Sequence, residues 1–211
     1  MTQCTVSTHA SFSPSARRGV RLALLCTAAV PMLAAAHPGG PVHHHDAVSA
    51  LVAGVVHPFS GLDHLVAMVA VGLWSALGAR RTWVAPAAFV AALLAGALLG
   101  RSGVAVPAVE PMIAASLLAF GLLLMARLRL AAGATVALVT GFAFFHGAAH
   151  GTELAGGHAG SALAGMVAAT LLLHGAGLLA GTLLRDRGQW LDRAAGLGVA
   201  GFGLVLLARL A

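Results

Sequence analysis

From Ala47 to the C-terminus the chain alternates long apolar blocks with short links that carry arginine, proline or glycine. The blocks run roughly from Ala47 to Ala79, Trp83 to Leu99, Pro107 to Ala126, Leu130 to His150, His158 to Leu184 and Trp190 to Leu210. Each is close to the about 20 apolar residues that a helix needs to cross a bilayer. Because lipid offers no hydrogen bonds, a spanning segment must satisfy its own backbone, which favours helices. The pattern predicts an all-α, polytopic membrane helix bundle with six transmembrane spans over residues 47–211. Pro58 lacks an amide donor and Gly61 loosens the turn, so the first span is expected to be broken there into a short half-helix and a longer helix from Leu62. Within the blocks, pairs such as Gly96 and Gly100, or Gly177 and Gly181, make faces that let helices approach closely in lipid.

Ahead of these blocks, Arg17, Arg18 and Arg21 precede the apolar stretch LALLCTAAVPML and the small residues Ala34 to Ala36. That order is a secretory signal, and the apolar core is too short for a spanning helix. Residues 1–36 are therefore expected to be a signal peptide, with an uncleaved anchor as the alternative, and residues 37–46 a His-rich periplasmic segment. Cleavage after Ala36 would make His37 the new N-terminus. Positive residues concentrate in short cytoplasmic loops. With the mature N-terminus outside, the inner loops hold Arg80, Arg81, Arg127, Arg129, Arg185, Arg187 and Arg193, whereas the outer side holds Arg101 and Arg209. This bias agrees with six spans and with both mature termini periplasmic.

Composition adds exclusions. The chain is 59% hydrophobic and 9% charged, a membrane balance, and its formal charge of +6 comes from scattered arginines with no lysine. Nucleic-acid binding would need them clustered on one face. Cys4 and Cys26 both lie in the signal, so neither a disulfide framework nor a Cys-based zinc site is expected. No internal repeat is visible at the residue level, although a histidine-rich span in each half invites comparison with pseudo-symmetric transporters. A homo-oligomer remains open.

Ionisable side chains at bilayer depth are costly, about 2.5 kcal/mol or more each, and persist facing a partner, a cavity or a pathway. His57, Asp63 and His64 fall in the first span, His146, His150 and Glu153 at the end of the fourth, and His174 in the fifth. The separations of four and three residues in FFHGAAHGTE place His146, His150 and Glu153 on one helical face. A break between His57 and His64 could free backbone carbonyls to join them. Imidazole with a few carboxylates suits Ni, Co, Zn or Cu, while Mg and Ca prefer oxygen shells. Met68 is either a soft ligand or packing, and His174 either a ligand or a helix-to-helix hydrogen bond. Glu110 reads as an entrance charge, a helix-start residue or a ligand, and His158 as part of an outer loop. In the N-terminal segment, the α-amine and imidazole of His37 could chelate a metal together with His43 to His45, unless the segment is a solvated tail.

HPFSGLDHLVAM resembles the HPxxGxDHLxxM signature of the HupE/UreJ family of nickel and cobalt permeases, and FAFFHGAAHGTEL resembles that family's FHGxAHGxE signature. VEPMIAASLLAFGLL and LLLHGAG are similar to its third and fifth spans. The resemblance implies a membrane protein that moves Ni²⁺ or Co²⁺, holds no permanent cofactor, and indirectly supplies nickel enzymes such as hydrogenase or urease. It carries over to His57, Pro58, Gly61, Asp63 and His64, and to His146, Gly147, His150, Gly151 and Glu153, without departure in either motif.

The function expected is a permease that is not an enzyme, passing the ion between ligands of the first and fourth spans. An intramembrane zinc-dependent hydrolase is the alternative, but HExxH is absent and the acid follows the second histidine. Bis-histidine haem binding is a weaker rival, since the flanking acids suit a naked cation better. No GxxxxGK[ST] loop occurs, so any driving force must come from gradients or a partner.

Overall fold

A computed structural model describes residues 46–78, 82–154 and 157–211. The expected signal peptide, His37 and His43 to His45 lie outside the described residues, as do Arg80 and Arg81. Among the described residues the fold is all helix, with no strand: α1 (Ala47–Ser60), α2 (Leu62–Gly78), α3 (Val84–Arg101), α4 (Val109–Met125), α5 (Ala132–Glu153), α6 (Ala159–Leu184) and α7 (Gln189–Leu210).

Helices α3, α5, α6 and α7 are long and apolar enough to cross a membrane, and the bent pair α1 and α2 would make a fifth span. Helix α4 is apolar but has 17 residues. It starts later than the apolar block because Ala108 takes a left-handed conformation, φ 59°. Asp46 caps α1, its carboxylate accepting from the Ser49 amide at 2.8 Å, and that hydrogen bond holds Asp46 below the usual carboxylate range. Pro58 lies in the last turn of α1, Gly61 separates α1 from α2, and the two helix axes meet at 82°.

Helix α2 is central, buried along nearly all of Ala67 to Gly78. Around it Met68, Val71, Trp74, Phe89, Leu93, Phe120, Leu124 and Met166 form the apolar core. Met68 is fully buried among these side chains.

Close packing depends on missing side chains. A Cβ at Gly96, Gly100, Gly147 or Gly151 would overlap the backbone across the α3–α5 seam, and one at Gly121, Gly196 or Gly203 would do so between α4 and α7. Gly54 and Gly165 join α1 to α6 in the same way, and Gly72 and Gly177 join α2 to α6. In lipid such approach supplies the dispersion contacts that hydrophobicity alone does not.

Near the far end of α2 the chain is tied by polar contacts. The Trp74 indole donates to the Leu128 carbonyl at 2.9 Å, and the Arg185 guanidinium to the Ala76 carbonyl. Arg127, itself at φ 50°, pairs with the buried Asp192 at 3.1 Å.

Candidate metal site

Each helical residue turns the side-chain direction by about 100°, so the FFHGAAHGTE segment of α5 divides its faces cleanly. Gly147 and Gly151 meet the Leu93 and Ala97 carbonyls of α3, where any side chain would clash. His146, His150 and Glu153 turn away from that seam, toward residues of α1, α2 and α4. The glycines of the motif thus set the helix spacing that its histidines require.

Glu153 Oε2 lies 2.8 Å from His57 Nε2 at the end of α1 and 3.8 Å from His150 Nδ1. One ligand atom each from His57, His150 and Glu153 falls within 4.8 Å of the others, a spacing that could hold a metal ion. The His150 ring is 4.8 Å from that of His57 and 4.3 Å from that of His64, and His64 is 4.8 Å from His146. The outcome is a continuous row: Glu153, His57, His150, His64, His146.

Exposure falls along the row. Glu153 is 30% exposed and His57 16%, whereas His150 is 1% and His146 0% exposed. The row therefore opens at the Glu153 end and closes inside the bundle.

Hydrogen bonds fix some of these rings. Asp63 Oδ1 accepts from His64 Nδ1 at 2.8 Å, and also from the His64 amide. A carboxylate that accepts from a histidine in this way fixes the tautomer and orientation of the ring. Neither His150 ring nitrogen has a hydrogen-bond partner among the described residues, nor does His146 Nδ1. Buried polar atoms are almost always satisfied, so these nitrogens are suited to a ligand.

His174 stands apart from the row. Its Nδ1 donates to the Thr170 carbonyl at 2.8 Å, and its ring lies 4.9 Å from Phe89, which is 5.6 Å from His146. Glu110 is exposed in the first turn of α4, and His158 is exposed just before α6. Two neighbours of the row escape sequence reasoning. They are Ser116 of α4, whose hydroxyl lies 2.9 Å from His146 Nε2, and Phe89 of α3. The one available signal was a lone hydroxyl within an apolar helix.

Comparison with known proteins agrees with the two histidine motifs. The family model described as HupE / UreJ protein matches residues 24–206. This chain belongs to the HupE/UreJ family. Protein HupE of Rhizobium leguminosarum bv. viciae is 41% identical over 186 residues, covering 87% of this chain and 94% of that protein. No solved structure matches. The row of donors in this HupE/UreJ protein is drawn from both motifs, HPFSGLDH through α1 and α2, and FHGAAHGTE through α5.

Proposed function

We propose that this protein is a permease for divalent transition-metal ions, nickel and/or cobalt, which pass between His, Asp and Glu ligands of the first and fourth spans. The observation that carries the proposal is the row from Glu153 to His146, in which His146 Nδ1 and both His150 ring nitrogens are buried with no hydrogen-bond partner among the described residues. An ion sheds water first at Glu153, His57 and His150, and then meets His64, oriented by Asp63, and His146. With adjacent rings 4.3 to 4.8 Å apart, each step is one exchange of ligand. Several partial sites bind firmly enough to admit an ion and weakly enough to release it. His174, beyond Phe89, serves as a deeper donor, and His37 with His43 to His45 as an outer capture segment.

In this reading the bundle has six spans in the bacterial inner membrane. The bent α1–α2 pair is the first, and α4, at the short end of spanning length, is the third. The contacts Trp74–Leu128, Arg185–Ala76 and Arg127–Asp192 gather the ends of α2, α4 and α6 with the starts of α5 and α7, as alternating spans require. They mark the cytoplasmic side, and the His57–Glu153 contact lies toward the periplasm, where both mature termini also lie. The imported ion would supply nickel enzymes such as hydrogenase or urease. A zinc-dependent hydrolase is not favoured, since the whole-chain match is to HupE/UreJ proteins.

The test is uptake of radioactive nickel and cobalt by cells expressing the wild type or His57→Ala, Asp63→Asn, His146→Ala or Glu153→Gln. Each variant should accumulate about 10-fold less metal or worse, as expected when a ligand or its orienting partner is lost. If all four insert normally and accumulate metal like the wild type, the permease reading fails.

A further inference from the structure

Ser116 lies fully buried in the middle of α4, and its hydroxyl has two partners: the Ile113 carbonyl at 2.6 Å and His146 Nε2 at 2.9 Å. A hydroxyl has one proton, and a carbonyl oxygen can only accept. The Ser116 proton therefore goes to Ile113, and an oxygen lone pair is left facing His146. Nε2 of His146 must carry the hydrogen and donate it. In a neutral imidazole this puts the lone pair on Nδ1, the nitrogen that is buried with no hydrogen-bond partner among the described residues.

We propose that Ser116 is a positioning residue that holds His146 in the Nε2–H tautomer, so that Nδ1 is the atom presented to a divalent cation in the donor row. The cation's role rests on the permease reading; the tautomer assignment does not. Asp63 and the Thr170 carbonyl act in the same way on His64 and His174, each accepting from Nδ1 at 2.8 Å. Those acceptors have no alternative role, whereas a serine hydroxyl could equally well donate to His146. The bond to Ile113 removes that freedom, which is why the short distance within α4 matters to a ring on α5. Removing the hydroxyl would leave a buried N–H without an acceptor and allow the proton to move to Nδ1, where it would block the metal-binding lone pair.

Two measurements on the full chain test this. Ring ¹⁵N chemical shifts of histidine-labelled, metal-free protein in lipid nanodiscs report each tautomer, with His146→Asn identifying the His146 signals. In the wild type His146 should be protonated on Nε2 and bare on Nδ1; Ser116→Thr should keep that state and Ser116→Ala should lose it. In nickel uptake, Ser116→Ala should raise the half-saturating concentration about 10- to 100-fold, the usual effect of losing a partner that orients a metal-binding histidine, and Ser116→Thr should restore it. His146 protonated on Nδ1 in the wild type overturns the proposal, a result that does not depend on how the variants fold. So does Ser116→Ala with the wild-type tautomer and half-saturation. A wild type that holds the Nε2–H tautomer but moves no nickel removes the permease reading and supports the tautomer assignment.

Discussion

Gly147 follows His146 on α5, and a methyl group there would overlap the Leu93 carbonyl of α3, its carbonyl carbon only 2.7 Å away. Ordinary contact begins at 3.4 Å, so in Gly147→Ala that carbon must recede by 3.4 − 2.7 = 0.7 Å, and the nearer oxygen by more. Leu93 is fully buried, and Gly96, Gly100 and Gly151 lie against backbone along the same seam, so relief at one point opens the others. Overpacking of this kind costs about 1–3 kcal/mol. The same displacement carries His146 and His150 away from His64, whose ring now lies 4.8 and 4.3 Å from theirs. Binding sites tolerate only about 0.5 Å of such drift, so half-saturation for nickel should rise about 10-fold or more. Gly141, earlier on α5, is the control, because a Cβ there meets nothing within 4 Å. Gly141→Ala should stabilise by about 0.5–1 kcal/mol through helix propensity. Unfolding in increasing SDS, followed by tryptophan fluorescence, should therefore move in opposite directions for the two alanines. If both unfold together and both transport like the wild type, close α3–α5 packing is not what positions the histidines.

Asp192 is buried and pairs with the partly exposed Arg127, so Asp192→Ala should destabilise by about 3 kcal/mol, the low end for breaking a buried pair. SDS unfolding in a double-mutant cycle with Arg127→Ala checks it, and additivity of the two changes would mean that the pair contributes no coupling. Nickel uptake should fall as the outside medium is acidified, because protons compete for the imidazole lone pairs that bind metal. Initial rates measured at successive outside pH values check the sign, and a rate that rises on acidification would contradict histidine ligation.

The helical blocks were legible because bilayer length and hydropathy are local properties of the sequence. The stripe of His146, His150 and Glu153 was legible for the same reason, since a separation of seven residues on one helix needs no tertiary knowledge. What local pattern could not supply was the partner of that stripe. That His57 of α1 meets Glu153 of α5 at 2.8 Å depends on how helices distant in sequence are arranged, and no local pattern encodes it. Ser116 and Phe89 were hidden because a hydroxyl or a phenyl ring in an apolar helix is ordinary packing until its neighbour is known. Asp192 was hidden by its place beside Arg193 in what reads as a charged inner link, yet it is buried against the end of α4. The late start of α4 was hidden as well, since alanine gives no sign that Ala108 will adopt a left-handed backbone.

The glycine seams divide the bundle into three tightly joined sets: α3 with α5, α4 with α7, and α6 with α1 and α2. The donor row lies within none of them. His57, Asp63 and His64 come from the set built on α6, His146, His150 and Glu153 from the set built on α3, and the Ser116 hydroxyl from the set built on α7. A cation shared by Glu153 and His57 therefore joins two sets that glycine contacts do not lock together, and its affinity depends on how those sets stand relative to each other. Substitutions in a seam and substitutions in the row should consequently converge on the same loss of metal binding. Only the seam variants should also lose stability, because the row donors are not what holds each set together.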